Sequence, residues 1–447
     1  MHTCNICCRS STGDGVSPIF LFYRDVMVFR TSRRAVAQFV LTTGLFAVVA
    51  TSCGTQSASS PDLTVNLPTT TVGVQQPGDG VVRIAAFLPS TGPGAQIGTP
   101  MNDAVRLAVS DINAAGGVLG GPIEVDFIDE STSNDLDIVL QSDVDAIVGP
   151  ASSLNALSML NSSVESGVLS CSPTATALLL DRFPDANLFF RTVGSDSLQM
   201  AALARTAART GGGSLTIVYL DDPYGRGLAA ALETAVESRP SLTLSSVVPF
   251  SGADPDLDDD ALQIVETGSR IIAVLGDTAD GARMLAAIDT ALPNNLERSP
   301  PFVVVNDSLR DATDVIATIS NRLREQITGV AARALVTTVG APTGYFSTNA
   351  YDCVVLIALA ARQAGTDAPR AIANQMASVS SGGRLCSTYA DCAALIDQGL
   401  QIDYNGRSGA VDLSSTGDLS RAWFREFRFD ESGREYIFND VGIEISS

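Results

Sequence analysis

Apolar and polar positions alternate along the chain as short β-branched runs separated by longer amphipathic stretches. Val81–Leu88 is an apolar run that stops at Pro89 and a glycine-rich turn. Over Asn102–Ala114, the residues Ala104, Leu107, Ala108 and Ile112 recur at helical spacing, and Gly116-Gly117 closes that helix. Ile123–Ile128 alternates as a strand, and Ala146–Val148 reads as a short buried strand ending at Gly149-Pro150. The same rhythm returns at Leu215–Leu220, Ile271–Leu275 and Phe302–Val305, each followed by a helical pattern. Repeated units of this kind predict an α/β fold, with parallel sheets covered by helices on both faces. In open parallel sheets, ligands sit beyond the carboxyl ends of the strands. The loops after Leu88, Val148, Leu169, Leu220, Leu275 and Val305 are therefore the places to look for a site.

The first 80 residues follow a different pattern. Arg30, Arg33 and Arg34 precede an uncharged apolar stretch, Ala35–Ala50, and the small residues Ala50-Thr51-Ser52 lead to Cys53. That order is a secretory signal, and the apolar stretch is short for a membrane span. A cysteine directly after the small residues resembles the lipobox of bacterial lipoproteins, whose thiol is acylated and becomes the mature N-terminus. Met27 is placed closer than Met1 to the basic residues and reads as the start, with Ser32-Arg33-Arg34 a partial twin-arginine motif. Cys4, Cys7 and Cys8 then lie in an extension that has no fourth metal ligand nearby. Gly54–Gly80 is rich in Ser, Thr, Pro, Gln and Gly, too polar to offset its ordering entropy, and reads as a flexible tether.

Composition narrows the chemistry. The chain of 447 residues has a formal charge of −21, which disfavours nucleic acid as a partner. No lysine occurs, so all 28 basic residues are arginine, and the single histidine is His2. Schiff-base chemistry, the P-loop lysine, Ser-His-Asp triads and histidine-based zinc sites are thereby excluded from the body of the protein. The expectation is a binding protein that is not an enzyme and carries no cofactor.

In order, the chain contains VRIAAFLPSTGPGAQIG, AVRLAVSDINAAGGVLGGPIEV, DAIVGPASS, SPTATAL, FRTVGSDSLQ, YLDDPYGRGLA and AYDCVVLIALAA. Together these segments resemble the type I periplasmic binding proteins, in the leucine/isoleucine/valine and amide group that serves ATP-binding-cassette importers. The resemblance spans Val81 to Ser447. It implies two doubly wound parallel-sheet lobes joined by three crossovers, near Val193–Ser195, Thr328–Ala331 and Ser420–Ala422. Lobe 1 would comprise 81–194 with 331–420, and lobe 2 would comprise 195–330 with 421–447, after a signal segment (1–53) and the tether (54–80).

A free amino acid presents a carboxylate and an ammonium, and both need partners once water is expelled. Ser152 and Ser153 follow Gly149-Pro150, and Thr174, Ala175 and Thr176 follow Pro173, each where a helix should begin. Hydroxyls and N–H groups at such ends suit a carboxylate. By resemblance, Ser153 and Thr176 match the hydroxyls that hold the ligand carboxylate, with Thr174 contributing backbone; plain helix capping is the competing role. Asp307 matches an acid for the ammonium, against a role as helix N-cap. Tyr224 matches a tyrosine that closes over the ligand, against simple packing between lobes. Ile97 and Ala279 stand where relatives carry aromatic side chains.

Other patterns carry less. Gly92-Pro93-Gly94-Ala95-Gln96-Ile97-Gly98 has the wrong spacing for a dinucleotide loop and lacks the later acid. The acidic run from Asp254 lacks the glycine and glutamate of a calcium loop and reads as a solvated helix start. Cys386 and Cys392 read as a short-loop disulfide in an exported chain, whereas Cys171 and Cys353 read as buried thiols ahead of a second bridge. The combined reading is a monomeric lipoprotein on the outer face of the cytoplasmic membrane. It would deliver an amino acid or small amide to an importer's permease and ATPase, the alternatives being a ligand-sensing subunit for a signalling partner or a nucleotide-cofactor enzyme.

If Cys53 is the lipidated N-terminus, Cys53→Ala should leave the chain unlipidated and either released or unprocessed, as read by fractionation and intact mass. A variant that still partitions fully with membranes would refute the anchor.

Overall fold

A computed structural model of the chain describes residues 78–132, 139, 143–293, 299–333 and 343–444. Cys53, the signal segment and nearly all of the tether lie outside the described residues. The first sheet has the order β2-β1-β3-β4-β5 and is parallel throughout. Its strands are β1 (Arg83–Leu88), β2 (Glu124–Asp129), β3 (Ala146–Val148), β4 (Leu169–Ser172) and β5 (Phe189–Arg191). β1, β3, β4 and β5 are almost wholly buried, as continuous apolar runs require when helices cover both faces.

Helices α1 (Ala95–Ala114) and α2 (Ser153–Ser166) come from the early part of the chain. α1 starts seven residues before the apolar stripe predicted. Pro100 lies inside the helix, just past its first turn, and removes one intrahelical hydrogen bond there. Four further helices follow within the second half of the fold: α3 (Asp196–Arg209), α4 (Pro223–Glu237), α5 (Asp258–Glu266) and α6 (Thr278–Ala291). The first turn of α5 is formed by Asp258, Asp259 and Asp260, where acids favour a helix N-terminus.

The second sheet has the order β15-β14-β10-β9-β8-β6-β7. Strands β6 (Gly213–Leu220), β7 (Leu242–Phe250), β8 (Ile271–Leu275), β9 (Phe302–Val305) and β10 (Ile327–Ala332) are parallel. β14 (Arg421–Phe429) and β15 (Glu435–Glu444) add an antiparallel margin to that parallel core. Two short helices, α7 (Thr313–Thr318) and α8 (Asn321–Arg324), separate β9 from β10.

The chain then returns to the first sheet with α9 (Ser347–Ala364) and α10 (Pro369–Ser380). Every residue from Ser347 to Ala361 is buried, because α9 packs against β3 and β4 on one side and against α1 and α10 on the others. A small sheet of β11 (Arg384–Cys386), β12 (Ile402–Gly406) and β13 (Gly409–Ala410), with α11 (Tyr389–Asp397), completes this half.

The passages between the two sheets run through Thr192–Ser195, through the segment after Ala332, and into β14 at Arg421. The second lies a few residues later than expected. β10 stays in register with β14 through Ala332, opposite Phe424, so Thr328–Ala331 is strand and not crossover. Gly194 is needed where the first and third passages touch: a Cβ there would lie 2.7 Å from the Cβ of Ala422.

Cys386 and Cys392 are joined, with S–S 2.10 Å. Cys171 and Cys353 are joined as well, with S–S 2.00 Å, which corrects the expectation of free thiols. Cys171 lies on β4 and Cys353 on α9, two elements that pack directly although 182 residues separate them in sequence. The loop-entropy model makes a long-range bridge of this kind the stronger constraint, at about 2–5 kcal/mol. Cys171→Ala with Cys353→Ala should therefore destabilise more than Cys386→Ala with Cys392→Ala in urea unfolding. Equal or reversed losses would count against that ranking.

Candidate functional site

The predicted site residues fall at the carboxyl ends of strands, in two groups facing the passages between the sheets. On the first sheet, Ser152 caps α2 by accepting from the Asn155 N–H at 3.4 Å. The Ser153 hydroxyl accepts from the Ala177 N–H at 3.3 Å, and the Thr174 hydroxyl donates to the Ala151 carbonyl at 2.6 Å. These bonds lace the loop after β3 to the loop after β4, so both turns are held as one surface. Ala175 is buried, while Ser153, Thr174 and Thr176 are partly exposed.

Sequence reasoning missed the anion already built into this surface. The buried Glu130 carboxylate accepts from the N–H groups of Ala151 and Ser152, both at 2.7 Å, and from the Asn155 amide at 2.9 Å. Burial pushes its carboxyl above the ordinary range, against the pull of those donors. Glu130 thus takes two of the free N–H groups before α2, leaving the Ser153 and Thr176 side of the loop pair for any further anion.

On the second sheet, Tyr224 lies in the first turn of α4, after β6, and Asp307 follows β9. The Tyr224 hydroxyl accepts from the Asn306 amide at 3.2 Å and lies 3.2 Å from the Ser308 hydroxyl. Asn306 also spans to the loop after β8 by donating to the Gly276 carbonyl at 3.0 Å. Gln199 of α3 lies by the Asp307 carboxyl, and its amide donates to the Val330 carbonyl at 3.1 Å. Burial raises Asp307 above the usual carboxylate range and raises Tyr224, which also feels the charges of Asp307 and Asp196. Ile97 lies in α1, partly buried against the core, and Ala279 is exposed in the first turn of α6.

The residue that joins the two groups is Asp196, which sequence reasoning also missed. It opens α3 behind the cap Ser195, and its N–H donates to the Thr176 carbonyl at 2.9 Å. An acid at a helix N-terminus is ordinarily favoured as the anion. Here burial dominates, the charge of Asp307 adds to it, and Asp196 is pushed up to about 8. The nearest cation, Arg191, is fully buried and otherwise engaged: its Nε donates to Asp418 at 2.7 Å and an Nη donates to Asp181 at 2.6 Å. Buried Asp196, partly buried Asp307 and Tyr224 therefore stand on one side, with Arg310 also acting on Asp307, and hydroxyls beside a helix N-terminus stand on the other. A bound cation would relieve the acids, and an anion at the hydroxyls would find donors. Among the described residues, no group of three His, Cys, Asp or Glu side chains is placed to hold a metal ion, and no helix is long and apolar enough to cross a membrane.

Comparison with known proteins fits this arrangement. A family described as periplasmic binding protein matches residues 81–386. The "chemotactic signal transduction system substrate-binding protein BasB" of Halobacterium salinarum is 26% identical, over 75% of this chain and 84% of its own length. The "Leu/Ile/Val-binding protein homolog 3" of Brucella melitensis is 23% identical, over 81% of this chain and 95% of its own. Among solved structures, the branched-chain amino-acid substrate-binding protein LivJ of Streptococcus pneumoniae, in complex with isoleucine, superposes with a TM-score of 0.57 at 19% identity. That match covers 81% of this chain and 99% of LivJ.

The raised Asp196 makes stability depend on pH. Unfolded, the group titrates near 3.8; folded, near 8. Between those values the folded state keeps a proton that the unfolded state has released. Its contribution is thus complete below pH 4 and is lost as pH rises through 8. Thermal melts of the ligand-free protein from pH 4 to 8.5 should show the wild type losing Tm relative to Asp196→Asn as pH rises. Parallel curves would mean that Asp196 is already charged in the folded protein.

Proposed function

The chain belongs to the periplasmic binding protein family, and on that premise we propose that it is an extracytoplasmic receptor for a free amino acid of the branched-chain type. The observation that carries the reading is the acid pair Asp196 and Asp307 beside Tyr224, opposite the hydroxyl-bearing loops of Ser153 and Thr176; the cations that act on the pair, Arg191 and Arg310, are each already bound to carboxylates. In this reading the ligand ammonium lies between Asp196 and Asp307, with the Tyr224 ring closing over it. The carboxylate meets Ser153 and Thr176, with the backbone of Thr174 and Ala175 completing the wall and Ser152 capping the helix behind. Lobe 1 is formed by the first sheet and the segments that return to it, and lobe 2 by the second. Ligand affinity for the closed arrangement of the lobes shifts the population toward it, and a partner reads that shift.

We place the protein at the outer face of the membrane, held by lipid on Cys53, as a monomer delivering ligand to an importer of the ATP-binding-cassette class. The signal-like order before Cys53 and the transport-type relatives support this. A sensing role is the second reading, favoured by the similarity to BasB, whose name places it in chemotactic signal transduction. Neither reading involves catalysis.

Calorimetry with leucine and with its deaminated analogue 4-methylpentanoate tests the site. Losing one partner of a buried charge costs about 2–5 kcal/mol, so Asp307→Asn should weaken leucine by roughly 30-fold to several-thousand-fold. It should leave 4-methylpentanoate unchanged or tighter. Thr176→Val removes a hydroxyl from a charged group, worth about 1.5–3 kcal/mol, and should weaken both ligands by roughly 10- to 150-fold. Equal losses for both ligands in Asp307→Asn would make Asp307 a structural cap and remove the amino-acid assignment.

A further inference from the structure

Away from the cleft, three arginines converge on a groove of about 970 Å³ between the 3₁₀ turn at Leu178–Leu180, the flanks of α3 and α4, and Gly442. Arg182 comes from the loop after β4, Arg205 from α3 and Arg239 from the end of α4. The chain as a whole carries −21, yet among the described residues none of the three is paired with a carboxylate. Arg205 gives one N–H to the Gly442 carbonyl. Arg239 gives one N–H to the Ala201 carbonyl at 3.2 Å, and its Nε is buried with no hydrogen-bond partner. Asp181 is the one carboxylate on the groove wall, and it is taken up by Arg191, Ser195 and Ser197.

We propose that this groove binds an organic phosphate, as a soluble ester or as a lipid headgroup. Guanidinium forks match the oxygens of a phosphate in pairs, which a single carboxylate does not satisfy three at a time. A dianion removes the repulsion between Arg205 and Arg239, which together with burial holds the Arg239 guanidinium below its usual basicity. The floor between them is apolar, from Leu178, Leu198 and Ala201, and so accommodates a carbon body better than a bare ion. Arg182 lies between β4 and β5 of the first sheet, while Arg205 stands on α3 and Arg239 just past α4 beside the second, so an occupant would tie the two halves together.

The full chain is titrated with glycerol 3-phosphate by calorimetry at low salt, without amino acid, and sedimented with phosphatidylglycerol or phosphatidylcholine vesicles. Binding of glycerol 3-phosphate assigns a soluble ester. Binding only to phosphatidylglycerol vesicles assigns the lipid headgroup. Either interaction should weaken with added salt and fall by about tenfold or more in Arg205→Gln and in Arg239→Gln, the loss expected for a charge-assisted hydrogen bond. No binding to either probe, or binding that survives Arg205→Gln with Arg239→Gln, overturns the proposal. If those variants do not fold, the exposed Arg182→Gln decides the matter. A loss of about threefold or more then supports the site, and an unchanged affinity overturns it.

Discussion

Arg191 has no exposed surface, and a guanidinium so placed must give its N–H groups to oxygen atoms that cannot move away. Its donors reach Asp418 just before β14, Asp181 after the 3₁₀ turn, and the carbonyls of Ala175 and Ala177 in the loop after β4. Asp181 passes the constraint on by accepting from the Ser195 hydroxyl at 2.6 Å and the Ser197 hydroxyl at 3.0 Å. One side chain thereby fixes the loop after β4, the first passage between the sheets and the approach to the third. Arginine suits this role where lysine would not, because its planar fork serves several fixed acceptors at once. Removing one partner from such a buried pair typically costs about 3–5 kcal/mol, which explains why an expensive arrangement persists once the loops depend on it.

The acid pair follows from that constraint. With Arg191 satisfied by Asp181 and Asp418, little of its charge is left for Asp196, where burial and Asp307 outweigh it. Burial and the neighbouring acid thus favour the neutral form of Asp196. Folding tolerates the buried acid because the surrounding bonds are made elsewhere: Asn306 ties Tyr224 to the loop after β8, and Gln199 ties α3 to the Val330 carbonyl at 3.1 Å.

Local pattern carried much of this into the sequence. Ala146–Val148, Ile271–Leu275 and Phe302–Val305 are strands with the bounds their apolar runs suggested, since fully buried parallel strands leave no polar position to blur the ends. The strand-end rule and the family resemblance led to Thr176, Tyr224 and Asp307. Asp196 was hidden because an acid after a serine cap reads as an ordinary helix start, and only the tertiary fold buries it against Asp307. Cys171 and Cys353 were hidden by 182 residues of intervening chain, although β4 and α9 touch. The late second passage was missed because the family resemblance put it at Thr328–Ala331, and only the pairing with β14 shows that β10 runs on through Ala332. Arg182, Arg205 and Arg239 share no local motif at all.

Helix α3 gathers these strands of the argument. It begins at Asp196 in the cleft, where its N–H is anchored on Thr176 of the first sheet, and it ends at Arg209, bound to the buried Glu426 of β14 in the second. Its inner face carries Leu198, Ala202, Leu203 and Ala207, all buried, so the helix cannot shift without repacking the core. Its first turn is fastened to Asp181 through Ser195 and Ser197, and through Asp181 to Arg191. Any ligand that changes the charge of Asp196 therefore acts on an element already rigid at both ends. Such an element moves only as a body, together with the sheet it rests on.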